Sequence, residues 1–254
     1  MAAGHHHRLY LPGDTPVHRL PPECKLAAAV AFAITVVATP RSALWAFAVY
    51  AALLAAVAAI ARVPPGFLLR RMAIELPFVA FALALPFIGL GERVAVGGLA
   101  LSVEGLWAAW NILAKATLGV TASILLAATT EPHRILHGAR RLRIPPLLVQ
   151  IAMFMLRYLD VILDEMRRMR VARESRGFTA RDLRAAPVLA RSVGALFIRS
   201  YERGERVHLA MLSRGFTGTL PVLDDRPVPP AAWAAALSLP AAAAVVAALA
   251  RTLA

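Results

Sequence analysis

Two stretches of this 254-residue chain repeat one another. Ala172-Arg173-Glu174-Ser175-Arg176-Gly177-Phe178-Thr179 and Ala210-Met211-Leu212-Ser213-Arg214-Gly215-Phe216-Thr217 agree at six of eight positions, 38 residues apart. The chemistry on offer is that of a guanidinium, whose planar fork pairs with a carboxylate through two parallel hydrogen bonds. Helix capping accounts for each residue taken alone. Glycine tolerates the left-handed backbone just past a helix end, and the next apolar residue packs back. Arginine complements the negative end of the helix. Capping does not explain why the string occurs twice, nor why arginine recurs where lysine would serve the dipole equally. The two strings are therefore read as helix ends that also dock on acidic sites of a partner.

Other reactive groups are sparse. The only cysteine is Cys24, so no intrachain disulfide can form and no cysteine cluster supports zinc or iron–sulfur binding. Neither Lys25 nor Lys115 follows a glycine, so the Gly-Lys-Ser/Thr of a phosphate-binding P-loop is missing. His133 and His137 stand at helical i,i+4 spacing but lack an obvious third ligand on that face. His5–His7 is a short run at the terminus, read as incidental. Asp224-Asp225 is the one pair of adjacent aspartates and sits among prolines. Met153, Met155, Met166 and Met169 suit an adaptable packing face better than soft-metal binding. No catalytic, cofactor-binding or metal-binding residue is expected in this chain.

The elements that would position the two strings belong to an unusual chain. It is 59% hydrophobic and 17% charged, yet has 28 Lys+Arg against 15 Asp+Glu. A soluble domain has about 45–50% apolar and about 25% charged residues. A basic nucleic-acid binder explains the charge but not the apolar excess. A multi-span membrane protein with a basic cytoplasmic face explains both. Five spans are expected: Leu26–Thr39, Ser42–Ala61, Met72–Leu90, Leu106–Thr129 and Ala231–Leu253. Glu75, Asn111 and Lys115 fall within them, and Glu75 and Lys115 lie close enough to span ends to snorkel. The connection between the last two spans carries 18 arginines, whereas Arg41 and Arg93 alone mark the opposite side. That bias predicts a cytoplasmic N-terminus. The expected organisation is a cytoplasmic segment 1–25, a four-span region 26–130, a cytoplasmic region 131–230 and a final transmembrane helix 231–254.

Region 131–230 is neither linker nor low-complexity. Glu131–Arg143 reads as a short amphipathic helix stopped by Pro145-Pro146. Leu147–Ser175 carries Ile151, Met155, Tyr158, Ile162, Met166 and Met169 at helical spacing. Asp182–Ser213 carries Leu189, Val193, Phe197, Tyr201, His208 and Leu212 likewise. Both long helices are expected to be half-buried, to lie at or below the inner membrane surface packed on each other, and to end in the repeated strings.

The repeated Ser-Arg-Gly ends, with His18-Arg19-Leu20-Pro21-Pro22, Phe154-Met155-Leu156-Arg157-Tyr158 and Arg199-Ser200-Tyr201-Glu202-Arg203-Gly204, resemble the transmembrane T component of energy-coupling factor (ECF) transporters. The closest likeness is to the cobalt-transporter Q subunit type, CbiQ. The resemblance implies an all-α polytopic membrane protein with two long cytoplasmic coupling helices, in a bacterial or archaeal inner membrane. It implies that Arg176 and Arg214 enter grooves on two cytoplasmic ABC ATPase subunits, with Ser175, Gly177, Ser213 and Gly215 allowing close fit. ATP and magnesium would reside on those partners. A metal-type, CbiM-like substrate-binding membrane subunit and a small CbiN-like accessory subunit are further implied partners, and nucleic acid is not. The family often has alanine where this chain has Ser175 and Ser213, which leaves the motif recognisable. Cobalt is the implied substrate, with nickel or a vitamin as alternatives. A membrane-embedded lipid or prenyl enzyme is the rival class, and it would need clustered carboxylates that the spans lack.

Overall fold

The computed structural model of the chain describes residues 9–89, 93–96, 99–178, 185–218 and 227–252. His5–His7, Thr179, Asp182, Asp224 and Asp225 lie outside them. The chain is an all-α polytopic membrane protein, and it divides into two compact units.

The larger unit begins with a short helix, α1 (Pro16–Arg19), and continues through α2 (Pro22–Ala38), α3 (Leu44–Ile60) and α4 (Pro65–Met72). A 3₁₀ turn, Ala73–Glu75, joins α4 to α5 (Leu76–Ile88). Two four-residue strands, β1 (Arg93–Val96) and β2 (Leu99–Ser102), pair antiparallel. Then come α6 (Val103–Thr129) and α7 (Pro132–Arg141), and the unit is completed by α10 (Pro230–Thr252). The hairpin was not expected from the sequence. Prolines open α2, α4 and α7 because the first helical position has no use for a backbone N–H. This is why the first span, expected from Leu26, begins at Pro22 and carries Glu23 and Lys25 in its first turn.

The core of this unit is where α2, α3, α6 and α10 meet. Phe32, Val36, Phe47, Tyr50, Leu54, Leu118 and Leu125 fill it, with alanines between them. Small residues let helices in a membrane approach closely. The Tyr50 ring meets Phe32 and Phe47 edge-on, with centroids 5.9 and 6.2 Å away. Its hydroxyl shares a 2.9 Å hydrogen bond with Thr39 and lies 3.3 Å from the Ala243 carbonyl, so one polar atom ties α2, α3 and α10 together. Two cations finish α2. Lys115 donates to the Val37 carbonyl at 2.8 Å and Arg251 to that of Ala38 at 2.9 Å. These are the carbonyls a helix C-terminus leaves open.

Among the described residues four helices are long and apolar enough to cross a membrane: Pro65–Ile88, Val103–Thr129, Pro146–Glu174 and Pro230–Thr252. Leu44–Ile60, at 17 residues, is shorter, as is α2. Residues 72–88 of the expected Met72–Leu90 span are thus part of a longer helical run that starts at Pro65 and takes in Arg70 and Arg71, while Leu90 lies outside the described residues. Glu75 does not snorkel. It lies in the 3₁₀ turn inside that run, is 5% exposed, and its Oε2 accepts from the Thr117 hydroxyl at 2.9 Å.

The smaller unit contains α8 (Pro146–Glu174) and α9 (Ala186–Leu212). Helix α8 qualifies as a span through its apolar first half. Its second half, with Asp164, Glu165, Arg167, Arg168, Arg170, Arg173 and Glu174, is unlike any of the other three.

Candidate functional site: two matched helix ends

The two repeated strings fold alike, down to individual hydrogen bonds. At the end of α8 the Phe178 N–H reaches the Arg173 carbonyl at 3.1 Å, and the Gly177 N–H reaches Glu174 at 3.0 Å. At the end of α9 Phe216 reaches Met211 at 3.0 Å, and Gly215 reaches Leu212 at 2.9 Å. This is the paired bonding of a Schellman motif. Gly177 and Gly215 supply its left-handed residue, at φ 75° and 79°. The serines match too. The Ser175 hydroxyl donates to Ala172 O at 3.1 Å, and that of Ser213 donates to Ala210 O at 3.0 Å. Each serine thereby occupies a last-turn carbonyl that an alanine would leave to water.

Helix α3 shows that the bonding pattern does not by itself demand glycine. It ends with Val63 N–H on Ala58 at 3.0 Å and Arg62 N–H on Ala59 at 3.0 Å, yet Arg62 holds the left-handed position at φ 55°. A side chain there costs about 1–2 kcal/mol but is tolerated. At Gly177 and Gly215 a Cβ would meet nothing within 4 Å. The chain's own packing therefore does not exclude a side chain at either place.

Ser175, Arg176, Gly177, Ser213, Arg214 and Gly215 are all exposed. Among the described residues neither the Arg176 nor the Arg214 guanidinium makes a hydrogen bond or ion pair, and only their backbone N–H groups are engaged, with Arg173 and Met211. Arginines along the helix shafts do. Arg168 pairs with Glu165 at 3.0 Å, Arg170 with Glu174 at 2.7 Å and Arg199 with Glu165 at 2.6 Å. The tips carry positive charge that the described chain leaves uncompensated.

The shafts place the tips symmetrically. Helices α8 and α9 meet where Val161, Ile162 and Glu165 face Arg199, Ser200 and Arg203. These two triplets are themselves 38 residues apart, the same offset as the tips. Ile162 and Ser200 each stand fourteen residues before the tip arginine of their helix. At 1.5 Å per residue each arm is about 21 Å. The Glu165 carboxylate clasps the contact by bridging Arg168 of its own helix and Arg199 of the other.

The expected apolar stripe of α9 lies largely outside its contact with α8. On α9, Val193, Phe197 and Tyr201 are 61%, 70% and 61% exposed. The face that meets α8 holds Ser200, Arg203 and Val207, with Leu196 between the arms. Periodicity reports that a helix has an apolar side. It does not say that the neighbouring helix covers it, and these two touch only locally. Beyond the contact they leave a cleft of about 380 Å³ lined by Phe154, Tyr158, Val207, His208, Met211 and Phe216. Phe216 thus belongs both to the α9 tip motif and to this cleft. Sequence spacing gave no sign of the Glu165–Arg199 clasp or of the cleft, since each joins residues more than thirty positions apart.

The remaining candidates do not converge. His133 and His137 are exposed on α7. Among the described residues no three His, Cys, Asp or Glu side chains come together to hold a metal ion. His18 is buried, its two ring nitrogens within 2.7 Å of Thr15 Oγ1 and 3.1 Å of Leu11 O, and so it pins the segment ahead of α2. Asp14, also in that segment, is held below the usual carboxylate range by its bidentate Arg19. Lys25, in the first turn of α2, is buried and donates to the carbonyls of Thr129 and His18.

Comparison with known proteins matches residues 13–223 to the family model described as cobalt transport protein, CbiQ. The cobalt transport protein CbiQ of Rhodobacter capsulatus is 29% identical over 167 residues, covering 66% of this chain and 67% of that one. The energy-coupling factor transporter transmembrane protein EcfT of Thermanaerovibrio acidaminovorans is 31% identical over 238 residues, 86% of each chain. An uncharacterized protein of Methanocaldococcus jannaschii is 33% identical over 106 residues, and the match spans only 40% of its length. The family model takes in both arginine tips and the helices behind them, and the chain belongs to the CbiQ cobalt transport protein family.

Proposed function

We propose that this chain is the coupling subunit of an energy-coupling factor importer, carrying motion from two ATPase subunits to a substrate-binding membrane subunit. The observation that carries this reading is the pair of exposed, unpaired arginines on helix ends of identical geometry. Arg176 and Arg214 each enter an acidic groove on one cytoplasmic ABC ATPase subunit. Ser175, Gly177, Ser213 and Gly215 keep the approach clear of bulk. ATP and magnesium are held by those subunits, and this chain catalyses nothing itself. When ATP closes the ATPase pair, the tips are drawn with the grooves. Equal arms of about 21 Å on either side of one contact convert that displacement into rotation of α8 against α9.

The magnitude required decides what kind of contact the tips make. An exposed ion pair contributes about 0–1 kcal/mol, too little to transmit force. Desolvated interfacial charge pairs couple by about 1.5–7 kcal/mol. The reading therefore requires that the tips be buried once the ATPases are bound. The exposed apolar residues Val193, Phe197 and Tyr201 of α9 are offered to the membrane partner. By its likeness to CbiQ the substrate is cobalt and the partner is CbiM-like with a CbiN-like accessory, and by the arginine bias of its connections the N-terminus is cytoplasmic. Nickel or vitamin import is the alternative. Uptake of labelled cobalt by cells carrying the full system tests this: Arg176→Glu with Arg214→Glu should abolish uptake while the chain still inserts. Uptake at the wild-type rate by that double variant would sink the assignment, and nickel uptake in place of cobalt would redirect it.

A further inference from the structure

Lys25 is 8% exposed in the first turn of α2. Its ammonium donates to Thr129 O at 2.9 Å and to His18 O at 3.4 Å, both neutral carbonyls. An ammonium has three donors, so one is left over. Among the described residues no carboxylate pairs with it. Glu23, two positions away, is taken by Arg141 at 2.6 Å. A buried charge without a counter-charge is costly. The surroundings make the potential here more positive still. Arg134 of α7 is near enough for its charge to act on Lys25, and the α2 N-terminus contributes its own partial positive charge. His133 and His137 stand exposed beside Arg134 on α7.

Below Lys25 is an apolar cavity of about 210 Å³, lined by Lys25 itself with Ala28, Phe32, Leu54, Leu125 and Thr129. Exposed Ile60, Ala235 and Ser238 form its rim, so it opens on the side of α3 and α10. The lysine is thus the one cation on the lining of an otherwise apolar, side-opening cavity in a membrane protein. A soluble anion would satisfy the lysine and leave the apolar walls uncovered. A neutral lipid would do the reverse.

We propose that this cavity is a site for an anionic phospholipid, whose phosphate pairs with Lys25 beside Arg134 while one acyl chain lies along Ala28, Phe32 and Leu125. The phospholipid supplies the counter-charge that the chain withholds, and so anchors the α7 end of the bundle to an acidic membrane surface. The proposal is independent of what the arginine tips engage.

The test uses the full chain in neutral detergent, melted with added dioleoyl-phosphatidylglycerol, dioleoyl-phosphatidylcholine or oleate. Phosphatidylglycerol near saturation should raise the midpoint by about 5–10 °C beyond phosphatidylcholine. Lys25→Met should erase that increment. Ala235→Trp, at the exposed rim, should reduce it at least tenfold in apparent affinity without touching the charge or the core. Equal shifts with the two phospholipids, or an increment that survives in both variants, would overturn the proposal. Oleate producing the whole increment would reassign the site to a free carboxylate amphiphile.

Discussion

Replacing Arg214 by alanine isolates the part of the tip that the chain itself does not use. Arg214 is exposed and its guanidinium makes no ion pair or hydrogen bond among the described residues, and the bonds that close its helix are all backbone, from the N–H groups of Arg214 and Phe216 to Met211 and from that of Gly215 to Leu212. Removing the guanidinium leaves all of these in place. Stability should therefore change by less than about 0.5 kcal/mol, as for an ordinary surface site. Docking should change far more. Truncating one partner of a buried, hydrogen-bonded charge pair costs about 2–5 kcal/mol. At 1.4 kcal/mol per tenfold, that is roughly 30-fold to several-thousand-fold in affinity. The assay is a binding titration of purified ATPase subunits against the detergent-solubilised chain, alongside a thermal melt of the chain alone. The same loss should follow Arg176→Ala, because the two tips share one geometry. An affinity within threefold of wild type would refute the docking role. A melting point lowered by many degrees would refute the premise that the arginine is free.

Two further outcomes follow from particular contacts. Gly177→Ala should cost about 1 kcal/mol through its left-handed backbone alone, whereas Gly177→Asn, which accepts that conformation, should keep the last turn protected in hydrogen exchange; if Asn also preserves ATPase affinity, clearance at the tip is not needed. Gly138→Ala should destabilise the larger unit by about 1–3 kcal/mol in thermal melts, because its Cβ would stand 2.7 Å from the Glu23 backbone nitrogen and force α7 off the first turn of α2.

Some of this was legible in the chain as written. Composition excluded a soluble domain, and the prolines and charge breaks marked most helix boundaries. The Gly-Phe endings fixed the Schellman caps, because those depend only on local backbone preferences and on residues within one turn. The tip arginines stood out for the same reason: a repeated short string is a one-dimensional signal. What the sequence could not supply was every relation between residues far apart in the chain. The apolar stripe of α9 was visible, but whether α8 covered it depended on how two rods meet, and they touch only around Ile162 and Ser200. Glu75 looked free to snorkel, yet Thr117, forty-two positions away, holds it inside. Nothing in the sequence set Lys25 apart, yet Thr129 and His18 enclose it over a cavity. Helix ends are decided by sterics and hydrogen bonds within a few residues, so the sequence determines them. Burial and pairing are decided by which distant surfaces share the same space, and only the tertiary structure settles that.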